Sequence, residues 1–308
     1  MNDFKIMDTF EEVDSTKKKS QLPDNVKLVL IIVVSLLVGV GVFVASNTIF
    51  GKKDDDQLPI TTTTLSTNDK TVLELYEMVN YGDRGVRTEK FMKEEKVDLN
   101  SFNNSEKFYY AMQFATMADF SNSGNVDASG KKIYTISNDK VNQYMTRFFG
   151  PKVTYSTDGA NTITFDFTIE NSNVGTMIYD LNRDAFATTF SGVNNDYVNN
   201  SNIKPFYSKI AAAASRSDGT LEIKERIIYT TLVQNKDVNG NLIDNYSLSI
   251  FRDYNKTMLI ETRNNLSANT VSQYALSLDD YASQSSVITY KFKKQSSGYY
   301  FVGSMVES

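Results

Sequence analysis

The residue types that most often carry enzyme chemistry are missing from this chain. Its 308 residues include no Cys and no His. Without Cys there is no disulfide, no thiolate metal site and no thiol nucleophile. Without His, neither a Ser-His-Asp triad nor a zinc hydrolase site can be assembled from this chain. What remains is chemistry by carboxylates, hydroxyls, amines and phenols. The segment Asn235-Lys236-Asp237-Val238-Asn239-Gly240-Asn241 puts oxygen-bearing side chains at loop positions 1, 3 and 5 and Gly at position 6, as a calcium loop does. Position 12 is Tyr246 rather than a bidentate Glu, so a hairpin turn built on Asn239-Gly240 explains the segment more simply. Glu222 and Glu225 are three positions apart, an odd offset that puts them on opposite faces of a strand. Asp279 and Asp280 are adjacent in a segment that reads as a loop, and their spacing is not a catalytic one. Carboxylate-based glycoside hydrolysis needs two acids facing one bond, and no spacing selects such a pair from the 37 acids. Ser137-Asn138-Asp139-Lys140 has the S-x-x-K spacing of a Ser-Lys nucleophile, yet it opens a helical pattern, where Ser137 serves as a cap. The 15 Gly are scattered at turns and form no phosphate loop. Tyr109-Tyr110 and Tyr299-Tyr300 offer stacking surfaces, but they read as half core and half rim. The residues thus single out no catalytic group, no cofactor site and no metal site.

The strongest signal concerns place rather than chemistry. Leu28–Val44 reads LVLIIVVSLLVGVGVFV, without a charge. Extended through Ala45 and Ser46 as a helix it spans roughly 28 Å, close to the hydrocarbon thickness of a bilayer. The reading is a transmembrane helix over 27–47 that contacts the lipid bilayer. Cleavage after Val44-Ala45-Ser46 is the competing reading, but more than two dozen residues precede the run, which is unlike a signal peptide. Lys17, Lys18, Lys19 and Lys27 precede the helix, whereas Lys52 and Lys53 follow it. The positive-inside rule then puts the N-terminus in the cytoplasm and the bulk of the chain outside, as a single-pass protein of the cell membrane. Residues 1–26 are polar, mixed in charge and expected to be disordered. Residues 48–67, with Asp54–Asp56, Pro59 and the run Thr61–Thr64, read as a flexible spacer.

Residues 68–308 read as an extracytoplasmic α+β domain. Val72, Leu75, Tyr76 and Val79 share a helix face, and Thr71 with Glu74 has capping-box spacing. A second helix starts at Asn103, with Glu106 three residues on, and runs apolar on nearly every side to Met117. A third runs from Ser137 through Val141, Tyr144, Met145 and Phe148 to a stop at Gly150-Pro151. The period then changes to two. Ile163, Phe165, Phe167 and Ile169 form a strand, with Asp158-Gly159 turning back to Val153–Ser156. Met177–Leu181 and Ala185–Phe190 form another pair. Pro205 opens a short helix with Phe206, Ile210 and Ala213. The last third is strand: Leu221–Val233, Tyr246–Ile250, Met258–Ile260, Val287–Phe292 and Tyr299–Val302, with a loop and short helix in Thr270–Ala282. Short turns between consecutive strands imply antiparallel pairing, so the expected architecture is helices packed on a curved antiparallel sheet. A division into two helix-plus-meander lobes would fall near 194–202.

The helix-then-meander order in each half, with a closing hairpin of Tyr290-Lys291-Phe292-Lys293-Lys294 and Gly298-Tyr299-Tyr300-Phe301-Val302, resembles cystatin-like and NTF2-like domains of bacterial surface proteins. Those folds host enzymes, binding modules and structural pieces alike, so the resemblance implies a fold and not an activity. A net charge of −5 disfavours a nucleic-acid partner. The expected function is a membrane-anchored binding or assembly protein of the cell envelope, whose partner is another envelope protein or a wall polymer. A tethered carboxylate-dependent glycan hydrolase and an envelope sensor signalling through its transmembrane helix are the alternatives.

Overall fold

The computed structural model describes residues 59–80, 86–155, 162–169, 173–180, 184–191 and 203–307. All of them belong to one compact unit, Pro59–Ser308. The tail 1–26, the apolar run 27–47 and Asp54–Asp56 lie outside the described residues, as do Asp158-Gly159 and 194–202. Among the described residues no helix is long and apolar enough to cross a membrane.

The class is α+β. Helix α1 (Lys70–Val79) buries Val72, Leu75, Met78 and Val79. Its cap is Asp69, whose carboxylate accepts from the Thr71 and Val72 amides, and not the Thr71–Glu74 box that spacing suggested. A short helix α2 (Val86–Lys93) gave no clear apolar stripe in the sequence. Helix α3 (Asn104–Met112) begins with the expected reciprocal box between Asn103 and Glu106. It stops at Met112, sooner than expected, and its Phe108, Tyr110, Ala111 and Met112 are buried. Helix α4 (Asn138–Phe149) has Ser137 as its cap and Gly150 at its end, and it buries Val141, Tyr144, Met145, Phe148 and Phe149.

The strands form two sheets, all pairs antiparallel. The five-stranded sheet has the order β3 (Ser121–Val126), β4 (Lys132–Ser137), β7 (Ala185–Ser191), β6 (Asn173–Asp180), β5 (Thr162–Ile169). The eight-stranded sheet runs β1 (Thr62–Leu65), β8 (Phe206–Arg216), β9 (Thr220–Lys236), β12 (Ser286–Gln295), β13 (Gly298–Glu307), β2 (Lys96–Asp98). In it β10 (Leu242–Phe251) pairs with β9 and with β11 (Leu259–Leu266). Register shifts at Ile210/Ala212 and Lys291/Phe292 mark bulges, which bend a sheet. One buried cluster draws Ile136 and Phe186 from the smaller sheet, Ile223 and Tyr290 from the larger, and apolar residues from α1, α3 and α4. The helices therefore serve both sheets. A second cluster of Ile228, Leu248 and Ile250 is covered by helix α5 (Ala268–Ser272) and a 3-10 turn at Leu278–Tyr281.

Three expectations are corrected. Phe206–Arg216 is a strand and not a helix opened by Pro205. Its alanines favour a helix locally, but two partner strands and the Thr230 amide on the Pro205 carbonyl impose the extended form. Val153–Tyr155 is not a strand paired with β5, because the Tyr155 hydroxyl donates to Asn138 and Asn142 and its ring packs on Phe108. Thr62–Leu65, the end of the segment read as spacer, is an edge strand on β8, where β-branched Thr suits the extended backbone.

Gly150 shows how tightly α4 meets the sheet. It has φ +81°, and a Cβ there would lie 2.5 Å from the Tyr300 ring. Gly240 has nearly the same φ, +85°, with open space around it. Gly150→Ala is expected to lower the unfolding free energy by about 2–4 kcal/mol, clearly more than Gly240→Ala, in urea titrations followed by circular dichroism.

Candidate functional site

The residues singled out in the sequence do not converge. The Asp237 carboxylate accepts from the amides of Asn239 (2.8 Å) and Asn241 (2.9 Å), so the loop of 235–241 is a self-satisfied turn. Asp127 holds the β3–β4 turn in the same way, through Ser129 and Lys131. Among the described residues no three acidic side chains are placed to hold a metal ion. Ser137 accepts from the Lys140 amide as a cap, and the Lys140 ammonium reaches Asp119 at 3.1 Å. Asp279 sits in the 3-10 turn and pairs with Lys209. Tyr110 is buried, and Tyr300 covers Gly150.

Glu222 and Glu225 occupy opposite faces of β9, as the spacing requires, and both are 2% exposed. Glu222 is met by Arg216 (2.9 Å) and Lys291 (3.4 Å). Glu225 points into the main core, where it accepts from the hydroxyls of Tyr76 (2.5 Å) and Tyr290 (2.6 Å). A buried carboxylate is costly unless hydrogen-bonded, and these two phenols satisfy one oxygen each. The neighbouring Tyr229 phenol is pushed well above its ordinary range by burial and by the Glu225 charge.

A half-open cleft of about 580 Å³ with a mixed polar and apolar lining lies beside this core. One side is α1, with Thr71, Glu74, Leu75 and Met78 on one helix face and Glu77 next to them. A second side is the β12–β13 hairpin tip, with Gln295, Ser297, Gly298 and Tyr299. Gln113, Phe114 and Arg147 complete it. The Arg147 guanidinium lies 4.0 Å from the centre of the Phe114 ring. The Gln113 amide donates to the carbonyls of Met78 (3.1 Å) and Tyr110 (2.7 Å), tying the end of α3 to α1.

Two polar anchors hold these sides. Tyr76, on α1, is fixed to the sheet by Glu225, which sets the α1 side. Asp119 sets the end near Phe114. It accepts from the Thr116 amide (2.8 Å) and the Tyr144 hydroxyl (2.7 Å), and Tyr144 packs against Phe114. Burial opposes the Asp119 charge, but hydrogen bonds from Thr116, Tyr144 and Lys140 outweigh it and hold the carboxyl at about 2. Burial and the Asp119 charge together raise the Tyr144 phenol.

Sequence reasoning missed this cleft. Glu74 reads in the sequence only as a capping residue, Phe114 falls unmarked within the apolar helical stretch that ends at Met117, and nothing local marks Glu77 or Arg147. The usable signal was weak: polar residues bordering the apolar stripe of α1, and a hairpin tip rich in Ser, Gly and Tyr.

Losing one phenol leaves a Glu225 oxygen short of a donor in the core. Tyr290→Phe is expected to cost about 1–3 kcal/mol in equilibrium unfolding. Asp119 has a folded value below its unfolded one, so its contribution is full above about pH 4 and disappears as the pH falls through about 2. Asp119→Asn should therefore destabilise by about 1–2 kcal/mol at about pH 6, and the gap from the unsubstituted protein should close between about pH 4 and pH 2. Comparison of the chain with family models, with curated proteins and with solved structures finds no match in any of the three.

Proposed function

We propose that the protein is a single-pass, membrane-anchored binding protein of the cell envelope. The helix of 27–47 is the anchor, the N-terminus is cytoplasmic, and the α+β domain outside binds its partner through the cleft beside α1. The anchor rests on the charge-free run Leu28–Val44 and on the excess of Lys before it. The order of α4 followed by the meander β5–β6–β7 is the helix-then-meander order expected of the first half, whereas the second half opens on the strand β8 and not on a helix.

The observation that carries binding over hydrolysis is the placement of the cleft's acids. Glu74 and Glu77 both stand on α1, less than one turn apart. Glycosidases need two carboxylates flanking the bond from different sides, at defined separation. Two acids on one helical surface attract and orient a ligand, but they do not bracket a scissile bond. Glu225 and Glu222, the buried acids, are already engaged by tyrosines and by basic side chains respectively.

The test uses the full-length protein in its native membrane. After a carbonate wash it should stay in the pellet, and external protease on intact cells should remove the region 68–308. Crosslinking in intact cells should recover a wall polymer or envelope protein with the unsubstituted chain, and about tenfold less with Tyr299→Ala. Release by the carbonate wash, protection of 68–308, or hydrolysis of wall glycan by the purified protein would overturn the reading.

A further inference from the structure

The cleft has a charge layout more specific than a general binding surface. Arg147 is exposed in the last turn of α4, and its guanidinium is stacked on Phe114. It forms no ion pair among the described residues, although it borders a cleft with two carboxylates. A guanidinium pre-oriented by an aromatic face is suited to bidentate pairing with a carboxylate. Glu77, on another element, is likewise exposed and has no ion-pair partner among the described residues, where Glu74 meets only Lys70, at 3.7 Å between two exposed side chains. An exposed pair of that kind contributes little and yields readily to a ligand. Tyr299, half-buried at the hairpin tip, supplies an aromatic surface to the same cleft, and the buried Leu75 and Met78 form its floor.

We propose, resting on the binding role of this cleft, that its ligand is a short peptide segment carrying both a free carboxylate and a free ammonium group. The carboxylate pairs with Arg147, the ammonium with Glu77 and Glu74, and the intervening part of the peptide lies against Tyr299. A neutral glycan would use an aromatic face and uncharged hydrogen bonds, and would leave these opposite charges on separate elements without function. An anionic polymer would be repelled by the two glutamates, and a purely cationic one by Arg147.

The experiment is frontal affinity chromatography on full-length protein immobilised in lipid nanodiscs. The probes are a synthetic tripeptide library with both termini free, the same library N-acetylated, the same library C-amidated, and chitotetraose. The free-terminus library should be retarded, and each blocked library should bind about tenfold more weakly. Arg147→Gln should weaken the free library about tenfold while leaving the amidated library unchanged. Glu77→Gln should weaken the free library and leave the acetylated library unchanged. Retention of the free library should also fall as salt rises. Equal retention of free and blocked libraries would overturn the proposal. Retention of chitotetraose alone, lost in Tyr299→Ala, would overturn it and leave the binding role of the cleft standing. No retention of any probe, with circular dichroism showing the protein folded, would overturn the proposal, while the binding role of the cleft is decided by the crosslinking above.

Discussion

Strand β9 has to bury both of its faces, and much of the domain follows from that requirement. Leu221, Ile223, Ile227 and Tyr229 enter the main core, while Glu222, Lys224, Ile228 and Thr230 are buried on the other side. The core-facing row contains one charged residue, Glu225. A carboxylate buried there without donors would cost several kcal/mol, roughly the whole margin by which a domain is stable. The chain meets this with Tyr76 from α1 and Tyr290 from β12. These hydrogen bonds give α1 a fixed position on the sheet where apolar packing alone would tolerate sliding. Because α1 is also a side of the cleft, a constraint inside the core determines the geometry of the surface.

The opposite face of β9 uses charge differently. Arg216 on β8 and Lys291 on β12 meet at Glu222, and Lys224 meets Glu307 on β13. Buried ion pairs add little net stability compared with apolar side chains, but removing one partner is costly, so they discriminate among registers. A slip of one residue on either side of β9 would separate these charges. Farther along, the same face turns apolar, and Arg263, Glu261 and Tyr281 form a network that fastens the 3-10 turn over Ile228, Leu248 and Ile250. There Arg263 and Tyr281 hold the Glu261 carboxyl below its ordinary value. Polar groups thus set the register and the position of the covering segments, and apolar groups supply the cohesion.

Legibility in the sequence followed the range of the determining interaction. The Asn103–Glu106 box, the Ser137 cap, the stop at Gly150 and the Asn239-Gly240 turn were readable because each depends on atoms within a few residues. The strand β9 was readable because Leu221, Ile223, Ile227 and Tyr229 share one parity, set against the charged Glu222 and Lys224 on the other. The strand β8 was not, since a run of alanines favours a helix until partners on each side impose the extended form. The cap of α1 was misplaced by two residues because Asp69 and Thr71 both fit capping chemistry, and only the backbone geometry chooses between them. Of the candidate site, Tyr299 and Glu74 were noticed for other reasons, whereas Arg147 and Glu77 carry no local mark.

The amino-acid sequence by itself determined which chemistries are closed to this protein, where its apolar run lies, and that helices precede a largely antiparallel β region. Composition excludes thiol and imidazole chemistry whatever the fold, and hydrophobic periodicity is a property of consecutive residues. The tertiary structure alone decided that the strands divide into two sheets served by shared helices, that Glu225 is enclosed by two tyrosines distant in the chain, and that Arg147 stands over Phe114 beside the α1 acids. Those arrangements depend on contacts between residues dozens to more than a hundred positions apart, and no local pattern encodes which of the many possible partners a buried charge will meet.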